Sequence, residues 1–127
     1  MKTNLLKIGA CALFMIAFGC AANVYGQIKT GGYKSIAVTD AGAKEAADFA
    51  VGLKAEDYEA EIRLEKIVKA ERQTVAGTNY RLCMKIYVPS ETEGEDGVSL
   101  TVLAVVYKNL QGEMKITRWD EDSECAG

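Results

Sequence analysis

From Tyr80 to Val88 an apolar residue stands at every second position: Tyr80, Leu82, Met84, Ile86 and Val88, with Arg81, Cys83, Lys85 and Tyr87 between them. Strict period two gathers the apolar side chains on one face of an extended strand, so this stretch commits the chain to a sheet with one covered face. Upstream, Glu61 to Ala70 also alternates, which predicts Ile62, Leu64, Val68 and Ala70 on a shared face. The two segments are joined by Gln73-Thr74-Val75-Ala76-Gly77, an uncharged five-residue tip. Hairpin tips ordinarily carry solvated Asn, Asp or Lys. A β-branched apolar residue beside a glycine suits a tip that is pushed into another surface.

The remaining segments fit around that hairpin. Tyr33 to Val38 predicts a short first strand. Thr39 or Asp40 can cap a helix running to about Ala55, with Ala43, Ala46, Ala47, Phe49, Ala50 and Leu53 as its apolar face. Its alanines suit close approach to a sheet. The second and third strands are expected at Glu61–Thr74 and Asn79–Val88. An acidic, glycine-containing loop follows from Pro89 to Gly97. Val98 to Tyr107 predicts a fourth strand, Asn109 to Gly112 a turn, and Glu113 to Trp119 a fifth strand. The tail from Asp120 to Gly127 reads as solvated. One helix on a five-stranded antiparallel sheet is an α+β layer pair. Counting chain reversals in such a sheet brings Gly31, Gly77 and Gly112 to one edge and the acidic loop to the other.

The chain contains no histidine. That removes Cys-His and Ser-His nucleophilic pairs and the commonest metal ligand together. Glu91, Glu93, Glu95 and Asp96 lie in a loop without the spacing of a calcium site, and they read as a solvated face. Asp120, Glu121, Asp122 and Glu124 read the same way. Neither an enzyme nor a cofactor is expected. The formal charge is −3; without Lys2 and Lys7, 13 basic stand against 18 acidic residues, a net charge of −5. No basic stripe exists for nucleic acid.

Gln73 to Gly77 fits the Gln-x-Val-x-Gly motif of the cystatins, inhibitors of papain-like cysteine proteases, and Thr78-Asn79-Tyr80 extends the match. Ala46-Ala47-Asp48-Phe49-Ala50-Val51-Gly52 resembles the cystatin helix, and Gly31-Gly32 stand where cystatins keep a glycine before their first strand. The resemblance runs from about Gly31 to Trp119. It implies the cystatin fold and a monomeric inhibitor that occludes a protease cleft with three prongs: Thr30 with Gly31 and Gly32, the tip Gln73, Thr74, Val75, Ala76 and Gly77, and the turn Leu110, Gln111 and Gly112. By the same resemblance Gly31 lets the preceding trunk, Gln27 to Thr30, turn into the cleft. Thr30 is smaller than the apolar groups such clefts favour, and Leu110-Gln111-Gly112 replaces the Pro-Trp of secreted cystatins. Those departures predict a dominant first hairpin, and a Gln111→Pro change is expected to stiffen the turn, provided that Gln111 holds a φ of about −65° and its N–H is not needed. Trp119 reads as sheet packing. Ala55 to Glu59 lacks the Asn with which some cystatins block legumain, so no second inhibitory site is expected.

The first residues bear on export. Lys2 and Lys7 precede an uncharged apolar run from Ile8 to Phe18, the pattern of a secretory signal too short to span a bilayer. Cleavage after Ala22 or Gly26 is expected, leaving a domain at residues 27–127. Gly19-Cys20 also resembles a lipobox, which would end the signal at Gly19 and place a lipid on Cys20. Membrane association enters only through that route. The rival to inhibition is a binding module of the same fold, anchored through Cys20. Cys83 and Cys125 remain as an even pair in an exported chain. A disulfide needs the tail to fold back across an intervening strand, and two free thiols are the alternative.

Overall fold

The computed structural model describes residues 31–126. In chain order these form β1 (Lys34–Ile36), α1 (Ala41–Tyr58), β2 (Arg63–Val75), β3 (Gly77–Val88), β4 (Val98–Lys108) and β5 (Met114–Asp120). The strands make one antiparallel sheet in the order β1-β2-β3-β4-β5. Successive hairpins put the β2–β3 and β4–β5 turns at one end, together with the entry to β1. The acidic β3–β4 loop is at the other end.

The helix starts at Asp40, whose carboxylate accepts the Ala43 N–H at 3.0 Å, satisfying a donor that has no partner within the first turn. Ala43, Ala46, Ala47, Ala50 and Val51 form its buried face. Four of these end at a methyl group, so the helix axis lies close to the sheet. Phe49 and Leu53 are only partly buried and line a groove against β5. The helix continues past Ala55 to Tyr58, where Glu59 turns left-handed (φ 51°) and the Ala60 N–H donates to Ala55 O. Tyr58 extends the docking surface, because Glu121 accepts both its hydroxyl (2.9 Å) and the Trp119 indole N–H (3.0 Å). That bond to Glu121 holds the Tyr58 phenol above its usual range.

Beneath the helix, Leu82, Met84 and Ile86 of β3 and Val102, Ala104 and Val106 of β4 are almost fully buried. Each larger side chain contributes about 1.5–3 kcal/mol. Trp119 packs at the margin of this core, a sheet contact. β3 keeps its period two throughout. β2 does not: Leu64 pairs with Ile86, Ile67 with Met84 and Ala70 with Leu82, with register shifts between Leu64 and Lys66 and between Ile67 and Lys69. Two bulges therefore replace the expected Ile62, Leu64, Val68, Ala70 face. Leu64, Ile67 and Ala70 face the core, and Ile62 joins it from just before the strand. An extra residue at each bulge bends the strand and increases its twist, which wraps the sheet round the helix.

The tail is not simply solvated. The Ser123 N–H donates to Thr101 O at 2.9 Å, and Cys125 forms a disulfide with Cys83 across β4, with Cα atoms 5.8 Å apart. The tail covers Cys83 on the face away from the helix, leaving it 2% exposed.

Candidate functional site

The β2–β3 hairpin is tighter than its sequence suggests. Gln73 pairs with Asn79, Thr74 with Thr78 and Val75 with Gly77, so Ala76 alone stands between the strands. Thr74 and Val75 favour extended backbone, and Gly77 makes the reversal with φ +107°. Gly77 is also buried: a Cβ there would lie 2.5 Å from Lys108 O and 2.9 Å from the Tyr107 hydroxyl. Tyr107 lies over the tip and donates its hydroxyl to Ala76 O. Ala76 and Thr74 are exposed, and Val75 is half-buried.

One side chain ties Gly31 to this hairpin. Gln73 Nε2 donates to Gly31 O at 2.9 Å, and Gln73 Oε1 accepts from Asn79 Nδ2 at 3.0 Å. One rung further along, Arg81 forks onto Glu71 at 3.0 and 2.7 Å and lies 4.0 Å from the centre of the Tyr33 ring. The Arg81 bonds hold the Glu71 carboxyl below the usual carboxylate range, and Glu71 raises the Arg81 guanidinium in return. Among the described residues a Cβ on Gly31 would make an ordinary 3.7 Å contact with Thr74 O, one on Gly32 would meet nothing, and Gly32 has no left-handed φ. Thr30 lies outside the described residues.

The β4–β5 turn is organised by Asn109. Its Oδ1 accepts the N–H of Gln111 at 3.0 Å and of Glu113 at 2.9 Å, while the Gly112 N–H donates to Asn109 O at 3.0 Å. Gly112 adopts φ +89° with open space around it, and Leu110 is 78% exposed. The Gln111 N–H is therefore in use, and a proline there, which lacks it, would break the turn's own brace. This reverses the stiffening expected of Gln111→Pro.

Gly31, the tip and Leu110–Gly112 share one end of the sheet. A row of cross-strand neighbours lies beneath them: Gln73 opposite Asn79, Asn79 opposite Tyr107, Tyr107 opposite Lys115. Gln73 secures Gly31 and Tyr107 secures the tip. Sequence reasoning missed Tyr107, Asn79 and Asn109. Asn109 was accessible, since Asn opening a Leu-Gln-Gly turn is the sequence sign of a side chain bonded to its own backbone two residues on. Tyr107 and Asn79 act across strands, and only register reveals them.

The cystatin-domain family model matches residues 31–100. Over 72 residues the chain is 38% identical to salivary cystatin-L2 of Ixodes scapularis, covering 48% of this chain and 52% of that protein. Over 80 residues it is 38% identical to cysteine proteinase inhibitor 5 of Arabidopsis thaliana, covering 62% of this chain and 61% of that one. The match thus spans between half and three-fifths of each relative's length. Among solved structures, a salivary cystatin from the soft tick Ornithodoros moubata superposes with a TM-score of 0.60 at 25% identity, over 75% of this chain and 100% of that one. Dimeric human cystatin F superposes with a TM-score of 0.60 at 18% identity, over 77% and 93%. The latter likeness bears on the fold alone.

Proposed function

The chain belongs to the cystatin family, whose members are protease inhibitors rather than enzymes, and from that membership we propose that it is a reversible, competitive inhibitor of papain-like cysteine proteases. The wedge consists of Thr30 with Gly31 and Gly32, Gln73 to Gly77, and Leu110 to Gly112. It fills the cleft over the catalytic pair without presenting a correctly placed peptide bond.

The observation that carries this reading is the uncharged hairpin tip, braced by Tyr107 and bonded through Gln73 to Gly31. A surface entering a cleft must shed water, and an unpaired charge there would be costly; Gln73 to Asn79 contains none. Leu110 to Gly112 lies beyond the family match, which ends at residue 100. Its role rests on its position at the same end of the sheet and on its exposed leucine.

Export belongs to the same proposal. The Lys2/Lys7 start, the apolar run to Phe18, the Cys83–Cys125 disulfide and the salivary relative all support a domain released at residue 23 or 27. Residues 1–26 and Cys20 lie outside the described residues.

Titration of papain with the mature chain tests the function. Reversible competitive inhibition with submicromolar affinity, about −8 kcal/mol or tighter, is expected. Papain left fully active at about 10 µM inhibitor, far above a submicromolar Kd, would leave a binding module in its place.

A further inference from the structure

The side chain of Gln73 does not reach outward from the tip. Its carbonyl and its amino group each have a partner inside the protein, and one of those partners fixes the chemistry of both. Gly31 O is a backbone carbonyl and can only accept. Gln73 must therefore turn its NH₂ toward the trunk, at 2.9 Å. That leaves Gln73 Oε1 facing Asn79, so Asn79 must present its own NH₂, at 3.0 Å. The backbone oxygen of the trunk thus dictates the orientation of two amides in series.

A second rung repeats the arrangement. Glu71 and Arg81 are direct cross-strand partners, as Gln73 and Asn79 are. Arg81 is held by two bonds to Glu71 and lies against the Tyr33 ring. Both rungs occupy the sheet face away from the helix, and both reach the segment 31–33. Gly32 has no left-handed φ, and the side chains of the two rungs are what tie residues 31–33 to the hairpin.

We propose that Asn79 is a positioning residue for the first prong: it orients the Gln73 amide, which holds Gly31 O against the hairpin, with Arg81 clamping Tyr33 behind it. This rests on the inhibitory reading of the wedge. Asn79 touches no protease in this scheme; its effect passes through Gln73 to the first prong.

Asn79→Asp is the sharpest probe, because it keeps shape and removes the donor. Gln73 must then turn its NH₂ toward the new carboxylate, presenting its oxygen to Gly31 O, two acceptors face to face. Asn79→Ala removes the donor without adding charge. Two measurements on the mature chain decide the matter. The first is NMR relaxation of the Gly31, Gly32 and Tyr33 amides, expected to show increased mobility in both variants with unchanged strand signals. The second is the papain inhibition constant, in the natural trunk and in a chain carrying Gln27→Gly, Ile28→Ser, Lys29→Gly and Thr30→Ser. Asn79→Ala and Asn79→Asp should weaken inhibition about three- to tenfold with the natural trunk, the range of one hydrogen bond. In the neutralised trunk their effect should shrink to within about twofold. Equal losses in both backgrounds, or amides no more mobile than in wild type, would overturn the proposal. If wild type failed to inhibit papain, the inhibitory reading would fall instead, while the relaxation data would still judge the clamp.

Discussion

Replacing Gly77 by alanine asks two separate things of the hairpin, and the structure gives a size to each. With φ at +107°, an L-residue must be held in a sparsely populated backbone region, at about 1–3 kcal/mol. The new methyl would also lie 2.5 Å from Lys108 O and 2.9 Å from the Tyr107 hydroxyl, both closer than a Cβ normally comes. Tyr107 can swing away, at the loss of its bond to Ala76 O, about 0.5–1.5 kcal/mol. Lys108 O is backbone in the β3–β4 ladder and yields only if the strand ends part. The total expected loss is about 1.5–4.5 kcal/mol, which a domain of about 5–15 kcal/mol survives at 25 °C. Urea unfolding with the disulfide intact measures it. Gly32→Ala is the control: among the described residues nothing lies within 4 Å of its added methyl, so its stability should change by less than about 0.5 kcal/mol. Because the tip must move to admit the methyl, Gly77→Ala should also weaken papain inhibition at least about tenfold, the equivalent of about 1.4 kcal/mol. If Gly77→Ala unfolded at the same urea concentration as Gly32→Ala and inhibited like wild type, the close approach of the tip to β4 would not exist in solution.

Val75→Asp should cost several kcal/mol of inhibition, by carrying a carboxylate into a dehydrated contact, while circular dichroism stays unchanged; equal inhibition constants would remove the tip from the contact. Leu110→Ala, at the exposed turn, should cost only about 1 kcal/mol, and a larger loss than for Val75→Asp would invert the ranking of the prongs. Gln111→Pro should lower stability by about 0.5–1.5 kcal/mol and leave inhibition no better, because the Gln111 N–H is bonded to Asn109; tighter inhibition would show that this bond is dispensable. Glu71 titrates below its ordinary value because Arg81 binds the charged form. Its stabilisation is thus complete above the unfolded value of about 4.3 and is lost as pH falls through the lower folded value. Wild type should be more stable than Glu71→Gln at pH 6, with the gap closing below about pH 4.3; a gap independent of pH would mean that charge plays no part in that rung.

How much of this was legible depended on whether a feature was local. β3 needed only its own alternation: Leu82, Met84 and Ile86 lie on the core face where period two puts them. The helix showed in the spacing of its alanines and in Asp40, and the common end of the three prongs followed from counting reversals. β2 misled because a bulge leaves no mark in composition. Glu65 and Val68 look like ordinary members of an alternating strand until the partner strand decides which residues are matched. Cys83 illustrates the same limit from another side. Its place on the polar face of β3 is readable from alternation, and the even pair with Cys125 left a disulfide or two free thiols open; only the fold, which lays the tail 42 residues away across β4, decides for the disulfide. The site divides along the same line. The residues of the proposed wedge lie in contiguous motifs and could be read as strings. The residues that hold those motifs in place, Tyr107 on Ala76 and Asn79 on Gln73, lie 31 and 6 positions away. A motif thus records what a surface displays, whereas its stiffness is set by register, and register is fixed only when the whole sheet closes. Gly31 makes the point sharpest: its place before β1 could be read as a string, whereas the Gln73 amide that bonds its carbonyl, itself held by Asn79, shows only once the strands are in register.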